Sequence, residues 1–310
     1  MRTELFTFSG SDGTSLPAML WLPGEAPRMI LQIAHGMTEH IGRFEPLAGF
    51  LTGHGIAVVG FDLRGHGRNP GKPEFVTMGE TGWNASVADI GALSQWVQNR
   101  FPGLPHAMLG FSLGSFLLRE YLARCTEPLC GAILMGTGNQ PSVVLSVLKA
   151  LVRGQIRKFG FDEPTPLVRK LSFETYNANF KPNRTVADWL CADAQELDGY
   201  LNDPLCRPGI SAGLFWQLLD SMQRTGARDF CTGWPEKLPI LLLSGDEDPV
   251  GNKSKGVESV RRQLQRSGIS VQMKLIPGAR HDVLHERCSG GADAAEAAML
   301  AFLESLPRPV

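Results

Sequence analysis

The chain has 310 residues, of which 43% are hydrophobic and 20% are charged. A chain of this length and composition can bury a sizeable core, which excludes a disordered, collagen-like or coiled-coil protein. The formal net charge is −1 and the sequence contains no basic block, so we expect no nucleic-acid partner. No stretch approaches the roughly 20 apolar residues of a membrane span, and the first residues lack the apolar segment of a signal peptide.

The cysteines show no CxxC pairing and no clustering with histidines, which favours reduced thiols over a disulfide framework. We therefore expect a cytoplasmic protein. The six residues are Cys125, Cys130, Cys191, Cys206, Cys231 and Cys288.

Short apolar runs alternate with helical patterns in the first part of the chain. The alternating residues 1–8 predict an edge strand, with a hairpin partner at 16–22. Because parallel strands need crossover connections, the rest of the pattern predicts an α/β fold with a mostly parallel, buried central sheet flanked by helices. The further predicted strands are 29–34, 56–61, 106–111 and 132–135, and the predicted helices are 44–54, 86–100 and 113–124.

The strand pattern stops after about residue 137 and only helical patterns broken by prolines follow. Strand signals resume at 238–244 and 271–277, and a helix at 292–306 closes the chain. The sequence thus predicts a core built from residues 1–137 and 231–310, interrupted by a helical insertion at 138–230.

A G-x-S-x-G sequence at residues 110–114 places Ser112 between a buried strand and a helix. This context is that of a nucleophile elbow, in which a sharp turn lifts the serine Oγ above the sheet at the N-terminal end of a helix. The alternative is an ordinary glycine-rich turn with a hydroxyl cap. We interpret Ser112 as the nucleophile.

A serine nucleophile needs a base and an orienting carboxylate, which follow it in the chain order Ser, Asp/Glu, His. His281 follows a predicted strand directly, and His285 one helical turn later is the alternative base. The turn after strand 238–244 offers Asp248, which precedes a proline, and Asp246 as the alternative. We predict that His281 is the base and Asp248 its partner.

Acyl transfer also needs donors for the developing oxyanion. The backbone N–H of Leu113, just after the nucleophile, is the first candidate. The second should follow an early strand, and the N–H of Met37 is placed there. We expect Glu39, His40 and Arg43 to form ion pairs that hold this loop; contact with substrate is the alternative.

Residues 35–44, HGMTEHIGRF, resemble the HGxxEHxxR(Y/F) signature of the monoacylglycerol lipase and lysophospholipase branch of the α/β-hydrolases, which is often grouped with serine aminopeptidases. Residues 62–67, DLRGHG, match a turn common in the superfamily, and the elbow, GFSLG, departs from the commoner GHSMG. The resemblance implies an α/β-hydrolase fold whose inserted helical cap supplies the acyl pocket. It also implies hydrolysis of monoacylglycerol- or lysophospholipid-like esters through an acyl-enzyme.

Two alternatives remain open. An amidase or aminopeptidase would use the same three residues and would need cap carboxylates for a substrate amine, which Asp162, Glu163 and Glu174 could supply. A non-catalytic ligand-binding protein of the same fold is the other. We expect no cofactor and no metal, because no set of ligands has metal-site spacing. The expected partner is a small-molecule or lipid ester, with transient membrane-surface contact through the cap; the oligomeric state is left open.

Overall fold

A computed structural model of the chain describes residues 1–125, 127–235 and 237–307. Residues 308–310, which end the predicted second part of the core, lie outside the described residues. In these ranges, eight strands form one sheet in the order β1-β2-β4-β3-β5-β6-β7-β8. The strands are β1 (Arg2–Ser9), β2 (Ser15–Leu22), β3 (Met29–Ala34), β4 (Ile56–Phe61), β5 (His106–Phe111), β6 (Gly131–Met135), β7 (Ile240–Gly245) and β8 (Val271–Ile276).

Strand direction divides the sheet into an antiparallel edge and a parallel centre. β1 pairs with β2 as a hairpin from Arg2 opposite Leu22 to Ser9 opposite Ser15, and β2 is antiparallel to β4. Every later pair, from β3–β4 to β7–β8, is parallel. The predicted edge strand, hairpin and mostly parallel sheet are therefore confirmed.

The central strands are buried on both faces, which explains their continuous apolar sequences. Along β3, Ile30 belongs to the core cluster on one face and Leu31 to the cluster on the other. Helices cover both faces, so the described chain forms three layers. Residues of α1 and α10 pack on one side of the sheet, and residues of α2, α3 and α9 pack on the other. These helices are α1 (Glu45–Gly53), α2 (Gly82–Arg100), α3 (Leu113–Leu122), α9 (Lys255–Arg266) and α10 (Gly291–Ser305).

Most predicted elements end within two residues of the observed bounds, and two elements differ by more. Helix α2 begins at Gly82, four residues before the predicted start. Helix α9 was not predicted, although Val257, Val260 and Leu264 recur at helical spacing and are fully buried. The helix was missed because its remaining residues are strongly polar, which leaves only a narrow apolar stripe.

Among the described residues between β6 and β7, five α-helices lie in the region predicted as an insertion. They are α4 (Ser142–Phe159), α5 (Pro166–Arg169), α6 (Thr175–Asn177), α7 (Ala194–Asn202) and α8 (Ala212–Thr225), with a π-helical turn at Lys170–Glu174. α4 packs on α8, and α8 also packs on α3 of the sheet layer. Among the described residues, no helix combines the length and the apolar character needed to cross a bilayer.

Candidate active site

The predicted site residues lie at one edge of the sheet, just beyond the carboxyl ends of parallel strands. Met37 follows β3, Ser112 follows β5, Asp248 follows β7 and His281 follows β8. The chain order reverses between β3 and β5, which are neighbours in the sheet although β4 separates them in sequence. Open α/β sheets bind ligands in the crevice at such a reversal. The topology therefore brings four distant segments to one place.

Ser112 occupies a sharp turn between β5 and α3. Its backbone has φ 48° and ψ −115°, in a region where a non-glycine residue is strained. The flanking glycines make the turn sterically possible. A Cβ on Gly114 would collide with the Ala34 carbonyl oxygen, and one on Gly110 would approach the Gly114 carbonyl oxygen to 2.5 Å. The geometry is that of the predicted elbow, with Ser112 directly before the first turn of α3.

A chain of hydrogen bonds links the three polar side chains. Ser112 Oγ lies 2.8 Å from His281 Nε2, and His281 Nδ1 lies 2.9 Å from Asp248 Oδ1. Asp248 is fully buried and His281 is 1% exposed. Asp248 Oδ1 also accepts the Val250 N–H, and Ser244 Oγ lies 3.3 Å from Asp248 Oδ2. The buried carboxylate is thus fixed toward Nδ1, which leaves Nε2 facing the serine.

The two alternative candidates, Asp246 and His285, make other contacts. Asp246 Oδ1 accepts the Gly278 N–H at 2.7 Å, so it joins the turn after β7 to the turn after β8. His285 Nδ1 lies 2.8 Å from Asp282 Oδ2. The structure therefore brings together Ser112, Asp248 and His281 and places Asp246 and His285 beside them as neighbours.

Two backbone N–H groups are available next to Ser112. Met37 and Leu113 both line the cavity that contains Ser112. Within the described part of the chain, neither N–H donates a hydrogen bond to another protein group. Unpaired donors beside a nucleophile are what a developing oxyanion requires.

Buried hydrogen bonds fix the loop that carries Met37. His35 Nε2 accepts the Leu63 N–H at 2.9 Å, so its proton is on Nδ1, which donates to the Gly36 carbonyl at 2.7 Å. Burial lowers the pKa of His35 to about 4 and keeps the ring neutral. The next residue after Met37, Thr38, has φ 62°. The loop thus follows a tight path that its hydrogen bonds determine.

An ion-pair network supports the same loop, as predicted. Glu39 Oε1 accepts the Gly36 N–H, and Glu39 Oε2 lies 3.2 Å from Arg43 Nε. The Arg43 guanidinium also pairs with Asp282, the residue after His281. Burial would raise the pKa of Asp282, but His285 and Arg43 hold that pKa well below its usual range. The network therefore ties the Met37 loop to the His281 loop.

His40 pairs with a residue of the segment between β6 and β7. Its Nε2 lies 2.8 Å from Asp203 Oδ2, and its Nδ1 accepts the Gly42 N–H. Cys206 lies close enough to join His40 and Asp203 as a possible ligand set, which the sequence spacing could not show. Both ring nitrogens of His40 are already hydrogen-bonded, so we assign these contacts to the attachment of residues 138–230, which we call the helical segment.

All six cysteines are free thiols, of which three are buried and Cys288 is exposed.

Residues 188–193 of the helical segment run beside the His281 loop. The Asp282 N–H donates to the Leu190 carbonyl at 2.7 Å, and the Arg280 guanidinium donates to the Asp188 carbonyl. The Trp189 ring lies 5.1 Å from the His281 ring, centroid to centroid. Sequence analysis missed Trp189 because a single tryptophan between short helices has no periodic signal.

A cavity of about 380 Å³ extends from Ser112 into the helical segment, and we call it the main cavity. Its lining is mostly apolar. Lys253 is the one charged residue among the described residues that line it, and Glu247 pairs with that ammonium at 2.8 Å. The apolar lining comes largely from α4, the turn at 170–174 and α8, and includes Leu145, Leu148, Leu171, Phe173, Phe215, Leu218, Leu219 and Met222.

Comparison with known proteins places this geometry in a family. Residues 25–288 match the family model described as serine aminopeptidase, S33. The chain is 27% identical to a monoacylglycerol lipase of Mycolicibacterium smegmatis over 90% of each chain. It is 28% identical to a human monoglyceride lipase over 89% of this chain and 82% of that protein. A thermostable carboxyl esterase of Bacillus coagulans, solved with glycerol, superposes with a TM-score of 0.87 at 25% identity over 99% of each chain. The chain belongs to the serine aminopeptidase S33 family and has the α/β-hydrolase fold.

Proposed function

We propose that the chain hydrolyses esters of fatty acids with small polar alcohols, with monoacylglycerols as the first candidate substrates and lysophospholipids as the second. The proposal rests on one observation above all: the hydrogen-bonded Ser112, His281 and Asp248 lie at the end of a mostly apolar main cavity. The esterase and lipase relatives support the ester-hydrolysing class of enzyme.

The first half of the reaction acylates Ser112. His281 Nε2, 2.8 Å from Ser112 Oγ, takes the hydroxyl proton as Oγ attacks the ester carbonyl. Asp248, held on Nδ1, stabilises the imidazolium that forms. The Met37 and Leu113 N–H groups then bind the tetrahedral oxyanion, and loss of one such donor typically costs about 3–4 kcal/mol in the barrier. His281 Nε2 returns the proton to the departing alcohol, and water later releases the acid.

The size and lining of the main cavity support an acyl chain as its ligand. Its volume of about 380 Å³ lies in the usual range of small-molecule sites. Burial of a hydrocarbon chain against leucine and phenylalanine side chains gains about 0.8 kcal/mol per CH₂ group. We therefore propose that α4–α8 act as the cap, with boundaries near residues 138 and 230, and that the cap supplies the acyl pocket.

The same lining disfavours an aminopeptidase. An α-ammonium in this cavity would need a carboxylate partner, and none of the described lining residues carries one. The three candidate cap carboxylates have partners elsewhere: Asp162 accepts the Thr77 hydroxyl, Glu163 pairs with Lys72 and Glu174 pairs with Arg169. The charge distribution of the main cavity thus supports esters of fatty acids over aminoacyl amides. Glu39 and Asp282, which line a small cavity at Ser112, already pair with Arg43.

The outer surface of α4 supports contact with a lipid surface. Val143, Val147 and Leu151 recur along the helix and are exposed, and Val144 is exposed as well as part of the cavity lining. Lys149, Arg153 and Arg157 follow one another at every fourth position and line a surface groove beside Trp216. An exposed apolar stripe next to a basic one is the composition of interfacial helices. We propose that α4 brings the mouth of the main cavity to the lipid.

A substrate panel tests the proposed activity. The panel contains p-nitrophenyl esters from acetate to palmitate, a mono-oleoylglycerol, an oleoyl lysophospholipid and aminoacyl p-nitroanilides. We expect hydrolysis of the esters with an optimum at a medium or long chain, and no hydrolysis of the anilides. Preferential cleavage of the anilides would favour the aminopeptidase. Tight ligand binding without turnover would favour the ligand-binding protein.

A matched pair of valine variants tests the membrane contact. Val143 is 76% exposed on α4, and Val186 is 74% exposed elsewhere in the cap. We expect V143D to lower cosedimentation with phosphatidylglycerol vesicles and V186D to leave it unchanged. Equal binding by both variants would contradict the assignment of α4 as the contact surface.

A further inference from the structure

A fully buried arginine lies behind the main cavity, on the helix that follows Ser112. Arg119 belongs to α3 and is 0% exposed. Its guanidinium carbon lies 5.7 Å from the ring centroid of Phe116, one turn earlier, and Phe116 lines the main cavity. Burial lowers the pKa of Arg119 to about 10, so the group is still a cation at neutral pH. The proposed reaction itself uses no charge at this position.

The Arg119 cation contacts the last turn of α8. Its Nη2 donates at 2.7 Å to the carbonyl of Thr225, the last residue of that helix. The final carbonyls of a helix lack intrahelical partners and carry a partial negative charge, which a cation stabilises. Met222, one turn before Thr225, lines the main cavity. Arg119 thus connects two helices that each contribute a residue to the wall of the cavity.

The same nitrogen also reaches the start of the helical segment. Nη2 of Arg119 lies 2.9 Å from Asn139 Oδ1 and 3.2 Å from Gln263 Oε1 of α9. The chain leaves the sheet layer near Asn139 and returns to it after Thr225. A Cβ added to Gly226 would lie 3.6 Å from Asn139 Oδ1, so the two crossings run side by side. One buried polar cluster therefore holds both ends of the helical segment.

Arg119 is the member of this cluster that belongs to α3. Gln263 Nε2 donates to the Thr225 carbonyl, and Asn139 Nδ2 donates to Gln263 Oε1. These bonds do not involve the guanidinium, and they join the two crossings to α9 alone. Among the described residues, Nε and Nη1 of Arg119 have no hydrogen-bond partner, so the group makes few other polar contacts. The distinct effect of Arg119 is therefore on the position of the crossings relative to α3.

We propose that Arg119 is a positioning residue that sets the width of the acyl pocket between α3 and α8. This inference rests on the proposed function. Glu120, the next residue, accepts the Ser221 hydroxyl and holds α8 about one turn before its end. Loss of Arg119 therefore frees the end of α8 and not the whole helix. A shift of that end moves Met222 away from Phe116, so a long acyl chain loses contacts that an acetyl group never makes.

A ratio of two ester substrates tests this role, because the ratio is independent of the fraction of folded enzyme. It is kcat/KM for p-nitrophenyl octanoate divided by kcat/KM for p-nitrophenyl acetate. We expect R119M to lower the ratio about tenfold, the contribution of roughly two CH₂ groups. R119K keeps a cation beside the Thr225 carbonyl and should recover part of the ratio. N139A removes another contact of the cluster, should lower the ratio as well, and serves as the test variant if R119M does not fold.

The matched control is R64M, which removes another arginine that has buried contacts. Arg64 pairs with the buried Asp89 and is not among the described residues that line the main cavity. We expect R64M to lower stability and to leave the ratio of the two esters unchanged. An unchanged ratio in folded R119M, or an equal fall in R64M, would overturn the inference. Absence of ester hydrolysis in the wild type would instead refute the proposed function.

Discussion

The ring of Trp189 lies against the imidazole of His281, with centroids 5.1 Å apart and planes inclined by 31°. Phe111, at the end of β5, lies at the same 5.1 Å with an inclination of 35°. The backbone N–H of His281 also donates to the Trp189 carbonyl at 3.4 Å. A residue from the helical segment and a residue from the sheet therefore both restrict the orientation of the proposed base.

Replacement of Trp189 should affect stability and turnover together. Trp189 is 6% exposed, and truncation of a buried tryptophan to alanine costs about 3–5 kcal/mol of unfolding free energy. We expect W189A to lower kcat more than it raises KM, because the His281 ring loses a packing surface. W189F should recover most of kcat. Stability from denaturant unfolding and kcat from ester hydrolysis check both effects, and full activity in W189A would contradict them.

Variants of Asp248 and Asp246 form a matched pair that tests which carboxylate orients His281. An amide at 248 would favour the wrong imidazole tautomer, which in serine proteases costs about 10⁴ in kcat. We expect D248N to lose activity on that scale. D246N should remain active, because an amide oxygen can still accept the Gly278 N–H. If D246N were the inactive variant, the assignment of the acid would have to be reversed.

The site residues that directly follow strands were predictable from the sequence. Ser112, Asp248 and His281 each follow a short apolar run that forms a parallel strand, so the topology brings them to one edge. Ion pairing by Glu39, His40 and Arg43 at this loop was also predicted, and the structure shows Glu39 paired with Arg43. The role of Trp189 was not predictable, because it depends on a crossing of the helical segment over the sheet edge that no local pattern encodes.

Glu39 is expected to act through the position of the Met37 loop. E39A removes the acceptor of the Gly36 N–H and leaves Arg43 with Asp282 alone. Removal of one partner of a buried pair costs about 3–5 kcal/mol of stability. D89N is the control, since Asp89 is a fully buried partner of Arg64 outside the site.

Both E39A and D89N should unfold at a lower denaturant concentration than the wild type. Only E39A should also lower kcat for ester hydrolysis, because Glu39 and not Asp89 contacts the loop that carries the proposed oxyanion donor Met37. E39Q retains an acceptor for the Gly36 N–H and should recover part of kcat. Equal loss of kcat in E39A and D89N would mean that general destabilisation, and not loop position, is the cause.

Buried neutral histidines should make the fold sensitive to mild acid. Burial lowers the pKa of His35 to about 4, of His66 to about 3 and of His106 to about 4. Between these values and the ordinary pKa of about 6.5, the unfolded chain binds protons that the folded chain does not. The free energy of unfolding therefore falls as the pH decreases from about 6.5 toward 4.

His106 allows this account to be tested away from the site. Neither ring nitrogen of His106 has a partner in the described part of the chain, so H106L removes a buried polar group without leaving another unpaired. We expect H106L to reduce the slope of unfolding free energy against pH by about 1.4 kcal/mol per pH unit in that window. H54L removes an exposed histidine and controls for the change in residue type. An unchanged slope in H106L would contradict the prediction.

The prediction of the helical segment shows where sequence patterns stop being informative. Its two longest helices were recognisable from apolar spacing, as in α8, where Leu214, Leu219 and Met222 are buried. Which apolar residues pack together and which line a cavity was not predictable, because both kinds repeat with the same period. Val143 and Val152 belong to the same helix α4, yet the first is 76% exposed and the second is fully buried.

The central claim is that Ser112 is an activated nucleophile, and covalent labelling tests it most directly. The protein is treated with an alkyl fluorophosphonate, and the modified residue is located by peptide mass spectrometry. We predict one adduct, on Ser112, which S112A abolishes and H281A slows strongly. The absence of an adduct in the wild type, or an adduct on any other residue, would contradict the account.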